Sequence, residues 1–260
     1  MDYQFIKQHI EDSVMIITLN RPDALNSFIM PMAKELQHSL DEAAGNDKVR
    51  AIVLTGEGRG FCAGQDLKEA IAENAPNIRT IVNETYNPII LKIRNIEKPV
   101  VCAVNGVAAG AGANIAFACD ITVASSSSSF IQAFSKIGLI PDSGGTFFLP
   151  KLIGMQRATA LMMLADKLTA EEAQSIGLIY KVFSPDEVFN EAMKLAKKLA
   201  QLPTVGLGLT KKALNAGLNN NLKDQLEVEA ELQEKSAQSA DHKEGVLAFL
   251  EKREPVFTGK

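Results

Sequence analysis

The chain has 260 residues, 46% of them hydrophobic and 22% charged, with a net charge of -4 at pH 7. That length supports one sizeable α/β core, or a core with a smaller appended element. With no basic tract it lacks the electrostatic footprint of a nucleic-acid or anionic-membrane binder, and no apolar run approaches the roughly 20 residues of a spanning helix.

In chain order, short β-rich runs are predicted at Tyr3–Gln8, Ser13–Leu19, Val49–Thr55, Val100–Val104, Ile121–Ala124 and Ile179–Phe183. Helical patterns and Gly, Asn or Asp punctuation separate them, so the fold class reads as α/β. Between the second and third runs, Met32, Leu36 and Leu40 recur every four residues and predict a helix over Pro31–Ala44 that packs on a sheet. Five serines at Ser125–Ser129 read as a turn after the fifth run. Thr169 with Glu172, and Ser184-Pro185 with Glu187, predict capping boxes at two later helix starts. From Pro203 to Leu250 strand signals vanish. Leu222, Leu226, Glu229 and Gln233 form a row that is apolar at one end, a helix that would cover either its own domain or another subunit. This divides the chain into a core over 1–200 and a helical region over 201–260.

The three cysteines, Cys62, Cys102 and Cys119, are odd in number, lack CxxC spacing and sit among small or apolar neighbours. They read as free core thiols of a reducing compartment, which predicts a cytoplasmic protein. The opening MDYQFIKQH has neither an apolar h-region nor a cleavage site, so no secretory leader is expected.

Three segments could carry chemistry. Thr55 to Leu67 is a glycine-dense run leaving a strand for a helix, without GK[ST] or GxGxxG. Its exposed N–H groups suit an oxyanion or a phosphate as readily as a simple tight turn. Asn105 to Asn114 repeats the pattern with small residues, which either offers a second set of donors or merely lets a helix approach a sheet closely. Gly138 to Thr146 places one carboxylate, Asp142, in a turn beside apolar residues. It reads as a turn or cap residue, or as a base whose pKa is raised by its setting. Ser143 lacks a GxSxG elbow and the three histidines, His9, His38 and His242, are scattered, which disfavours a serine triad and a catalytic transition metal.

Taken together these stretches resemble the enoyl-CoA hydratase/isomerase (crotonase) family. The likeness is carried by Leu19-Asn20-Arg21-Pro22 with Leu25-Asn26, Phe61 to Leu67, Lys98-Pro99-Val100, Asn105-Gly106 to Gly112, Cys119-Asp120 and Gly138 to Gly145. The resemblance implies a spiral of ββα units with a C-terminal helical region used for trimers, which often pair into hexamers. It implies an acyl-CoA substrate, no metal and no cofactor beyond the coenzyme A of the substrate. By position it implies backbone N–H donors at Gln65 and Ala111 for the thioester oxygen, and a CoA pocket over Ala63 to Leu67, including Asp66, with Leu25 nearby. Because those donors are main-chain, the side chains at Gln65 and Ala111 are free to vary.

The departures bear on the reaction. Where the family's hydratases carry two glutamates, this chain has Asn114 and Phe134, and neither an amide nor a phenyl ring can activate water. Both are left as possible substrate contacts. Where hydratases have glycine after the turn proline, it has Asp142, as in the isomerase branches. The stretches Phe134 to Gly145, Pro203 to Leu209, Ser239 to Gly245 and Phe257 to Lys260 resemble a branch that isomerises a ring-epoxide CoA ester of aromatic-acid degradation. A linear 3-enoyl-CoA isomerase and a non-catalytic acyl-CoA-binding scaffold remain open alternatives.

Overall fold

The structure, a computed structural model, describes residues 2–260. The predicted runs become a six-stranded sheet of β1 (Ile6–Glu11), β2 (Val14–Leu19), β3 (Ala51–Gly56), β5 (Val100–Val104), β7 (Ile121–Ser125) and β10 (Lys181–Phe183), in the order β1-β2-β3-β5-β7-β10. The β1–β2 pair is antiparallel and every other neighbour is parallel. A second, four-stranded sheet of β4 (Gly60–Cys62), β6 (Val107–Ala109), β8 (Ser129–Ile131) and β9 (Leu168–Thr169) has no counterpart among the predicted strands.

Between the strands run α1 (Met30–Gly45), α2 (Leu67–Ala70), α3 (Ile78–Ile81), α4 (Asn87–Asn95), α5 (Ala111–Ala118), α6 (Gly145–Ile153), α7 (Met155–Leu164), α8 (Ala170–Ser175) and α9 (Val188–Gln201). The chain repeats one move: a strand in the large sheet, a strand in the small one, then helix. β3 leads to β4 and α2, β5 to β6 and α5, and β7 to β8 and, after a short turn of helix, α6. Successive turns stack in parallel in both sheets, which is the expected spiral of ββα units.

The inner strands β2, β3, β5 and β7 are buried on both faces with period two, while β1 and β10 lie at the more exposed edges. Met15, Ile17, Leu19, Ile52 and Leu54 enter the main core with Met32, Leu36 and Leu40 of α1. Val14, Ile16, Ala51, Val53, Val101 and Ala103 face Val188, Ala192, Met193 and Ala196 of α9. The three cysteines are free and buried.

Three predicted boundaries shift. β1 begins later than Tyr3 because the Gln4, Phe5 and Ile6 N–H groups donate to the Glu35 carboxylate of α1. β10 begins at Lys181 because the Leu178 and Ile179 N–H groups turn back to the Ala173 carbonyl at the end of α8. At Ser184 the hydroxyl donates to Glu187 at 2.6 Å, and the residue that caps α9 is Glu187, without a side-chain bond to the helix. The segment closes as a turn and α9 starts only at Val188. The Thr169–Glu172 capping box forms as predicted.

The helical region is α10 (Thr204–Gly217), α11 (Leu222–Ala237) and α12 (Ala240–Glu251). It is bound to the core by polar contacts. Arg50 donates to the Leu202 and Phe257 carbonyls and to Thr204, and the largely buried Lys211 reaches Asp120 at 2.7 Å. Leu222 and Leu226 of the predicted row remain 75% and 55% exposed, so the chain itself does not cover that end. No helix among the described residues is long and apolar enough to cross a membrane.

Candidate active site

The two small-residue segments meet. Gly64, at φ 86°, follows β4, and a Cβ there would lie 2.9 Å from the Ala109 carbonyl oxygen and 3.5 Å from the Ala111 nitrogen. A Cβ on Gly112 would lie 2.3 Å from the Cys62 carbonyl oxygen. Glycine is what lets the segments approach this closely. Phe28 stitches the first loop: its N–H donates to Gly64 at 2.7 Å and its carbonyl accepts from Asp66 at 2.9 Å, while the Ala63 N–H donates to Leu25 at 2.9 Å. Between these bonded groups the Gln65 N–H has no backbone acceptor among the described residues. Ala111 opens α5, where a first-turn N–H has no acceptor within its own helix. Two residues of the sequence-predicted donor pair therefore sit on adjoining loops with main-chain donors to spare.

The remaining predicted CoA-pocket residues form one neighbourhood. Leu25 adopts the left-handed conformation at φ 48° beside Gly60, Ala63 is half-buried, and Leu67 is 52% exposed. Asp66 is committed locally: it caps α2 through the Lys68 N–H at 3.0 Å and pairs with Arg21 at 2.9 Å, and that guanidinium holds its carboxyl below the usual range. Its role within the chain is to fix the loop.

Asp142 stands in the turn before α6. Ser143 and Gly144 both take left-handed conformations, at φ 51° and 73°, and the Gly145 N–H closes on the Asp142 carbonyl at 2.9 Å. Burial raises the Asp142 carboxyl from its ordinary 3.8 to about 6, against the opposing hydrogen bond donated by the Ser143 hydroxyl at 2.8 Å. No cation pairs with it among the described residues, so no ion pair offsets the desolvation.

Asn114 is fully buried, and its amide donates to the Asp142 carbonyl at 2.9 Å while accepting from Gln132 at 2.8 Å. It supports the turn that presents Asp142. Phe134 lies on a short helical turn, Ala133–Ile137, buried with its ring edge 3.7 Å from where a Gly110 Cβ would stand. Ile137, the last residue of that turn, and Ile140 just after it are 52% and 82% exposed. Sequence reading missed Gln132, a polar residue in apolar surroundings with no motif of its own, and weighed Ser143 only as a nucleophile, not as the donor to Asp142. An apolar cavity of about 470 Å³ beside Gly144, lined by Ile90, Leu91, Phe147 and Phe148 among others, contains none of Gln65, Ala111 or Asp142.

Residues 9–260 match the sequence profile described as Enoyl-CoA hydratase/isomerase, and the chain belongs to that family. It is 47% identical over 260 residues to the 1,2-epoxyphenylacetyl-CoA isomerase of Escherichia coli (strain K12), covering 99% of both chains. It is also 47% identical over 261 residues to a protein of Rhodobacter capsulatus named "Probable enoyl-CoA hydratase", covering all of both. Among solved structures, enoyl-CoA hydratase from Bacillus anthracis superposes with a TM-score of 0.94 at 32% identity, over 99% of this chain and 100% of that one. The chain is thus an enzyme of the CoA-thioester isomerase/hydratase type on the crotonase fold.

Proposed function

We propose that the chain is an isomerase that converts ring-1,2-epoxyphenylacetyl-CoA to oxepin-CoA. The observation that carries this reading is the one half-buried, proton-poised carboxylate of this turn, Asp142, with the two places where hydratases hold glutamates filled by Asn114, whose amide is spent on the Asp142 turn, and by Phe134. Hydration needs groups to activate water and deliver its proton. Moving a proton within one substrate needs only one base that later acts as an acid.

In this mechanism the Gln65 and Ala111 N–H groups donate to the thioester oxygen and stabilise the enolate that forms when Asp142 takes a proton. Asp142 then returns that proton elsewhere on the conjugated system, while the carbon–carbon bond of the strained epoxide breaks and both carbon–oxygen bonds remain, which widens the ring to seven members. No redox cofactor takes part, because no electrons leave the substrate. The E. coli relative, named for this epoxide substrate, supports the choice of acyl group.

The test is a steady-state comparison of wild type and Asp142→Asn on enzymatically generated epoxyphenylacetyl-CoA and on a linear 3-enoyl-CoA. A loss of about 10² to 10⁴ in turnover on both, with the epoxide preferred by wild type, is the expected result. Preference for the linear ester would make the enzyme a Δ3,Δ2-enoyl-CoA isomerase. An active variant would place the base elsewhere, and CoA-ester binding without turnover of either substrate would indicate a scaffold. We further propose that a homotrimer, alone or paired into a hexamer, covers the exposed Leu222, Leu226, Phe249 and Leu250 of the helical region. A monomer by light scattering would remove that proposal.

A further inference from the structure

Tyr86 is 1% exposed, yet its phenol has a single polar partner: it donates to the Gln65 side-chain oxygen at 2.6 Å. The other end of the same amide donates to the Glu69 carboxylate at 3.0 Å, and Glu69 in turn accepts the Met30 N–H at 3.0 and 3.2 Å. The polarity is fixed by chemistry, since an ionised carboxylate only accepts and the amide nitrogen must face it. The ring of Tyr86 packs edge-on against Phe28, the residue whose backbone brackets Gln65 on both sides.

The backbone is built to deliver this phenol. Val82–Tyr86 is a π-helical turn, closed by the Asn87 N–H on the Val82 carbonyl. One added residue in an α-helical path rotates the downstream residues by about 100° and loosens the carbonyls, so such turns persist where partners hold them. Here α1 supplies those partners: Gln37 donates to the Glu84 and Thr85 carbonyls at 2.8 and 3.1 Å, and Lys34 to the Glu84 carbonyl at 3.1 Å.

We propose that Tyr86 is a positioning residue that aims the Gln65 N–H, holding the Gln65 side chain from one side while Glu69 holds it from the other. The role of Gln65 as an oxyanion donor is the reading this rests on. Although a main-chain donor leaves its side chain free to vary, this chain uses that side chain as a handle on the loop. Burial keeps the phenol far above its usual range and therefore protonated, so it remains a donor at every working pH.

The test uses Tyr86→Phe, which keeps the ring and its packing and removes only the hydroxyl, together with Gln65→Leu and the double variant. The probe is phenylacetyl-CoA labelled with ¹³C at the thioester carbonyl, whose stretching frequency falls when the oxygen accepts strong hydrogen bonds. Wild type is expected to show the downshift, with Tyr86→Phe retaining only part of it. Turnover of the substrate preferred by wild type should fall about tenfold to a hundredfold with KM nearly unchanged. The double variant should fall no further than the worse single one, because both remove the same constraint. A full downshift and wild-type turnover in Tyr86→Phe, or losses that simply multiply, would overturn the inference. If wild type itself shows no downshift, the oxyanion assignment of Gln65 fails, and with it the role of Tyr86.

Discussion

In the six-stranded sheet, separation between layers is filled by side chains: Ile52 and Leu54 on one face of β3, Ala51 and Val53 on the other, all buried. Around the four-stranded sheet the backbones themselves fill the space. A Cβ on Gly106 would lie 2.1 Å from the Arg59 carbonyl oxygen, and one on Gly112 2.3 Å from that of Cys62. The large sheet supplies apolar burial, while the small sheet brings two main-chain segments close enough to share one neighbourhood. Stability and site geometry are thus carried by different strands of the same spiral, and substitutions should separate them.

The largest effect is expected where backbone meets backbone. Gly112→Val should cost at least about a hundredfold in turnover, since a misplacement on the order of 1 Å at a reacting centre has that consequence. Leu54→Ala is the matched change in the large sheet. It should cost about 2–5 kcal/mol of stability through lost burial and a cavity, with turnover per folded molecule nearly intact. Denaturant unfolding beside kinetics on the circular-dichroism-verified folded fraction checks both. A Gly112→Val enzyme of near-normal turnover, or a Leu54→Ala enzyme slowed as much as it is destabilised, would break the division between the sheets.

The same division explains what could be read from the sequence. Every large-sheet strand was visible because β-branched and aliphatic residues crowd together in runs bounded by turn residues. The small sheet was not, because Gly60-Phe61-Cys62 and Val107-Ala108-Ala109 look like loop or helix approach, and the serine run read as a turn contains the first residue of β8. Asp142, Gln65 and Ala111 were reached through family likeness, since a lone aspartate in a Pro-Asp-Ser-Gly turn and two featureless backbone amides carry little signal of their own. Tyr86 was missed because one aromatic in an apolar helical stretch reads as core. Its distinguishing feature is an i to i−5 turn held by Lys34 and Gln37 from a distant helix, which no local pattern announces. Asn114, left open between substrate contact and backbone support, is engaged with the Asp142 turn.

The smallest expected effect is also the one that puts both functions of the fold on a single scale. Asp142 is half-buried without a cation, so its folded pKa of about 6 lies above the ordinary 3.8. Below pH 3.8 the carboxyl is protonated in both folded and unfolded chains and contributes nothing. Between 3.8 and 6 the unfolded chain ionises first and gains relative to the folded one. Above 6 the folded chain carries the full penalty, about 2–3 kcal/mol for a shift of this size. Asp142→Asn removes the titration, so its stability advantage over wild type should grow from roughly 0.5 kcal/mol at pH 4 to about 2–3 kcal/mol at pH 8, measured by urea unfolding at each pH. Activity should run the other way: kcat/KM of wild type should rise about tenfold per pH unit up to about 6 and then level off, because only the ionised base works. The large-sheet core, whose buried residues are mostly aliphatic, has no comparable titration, so Leu54→Ala should lose the same stability at both pH values. A stability difference between Asp142→Asn and wild type that does not change with pH would mean that the carboxylate is solvated in the folded protein, and that the turn before α6 does not withhold water from Asp142.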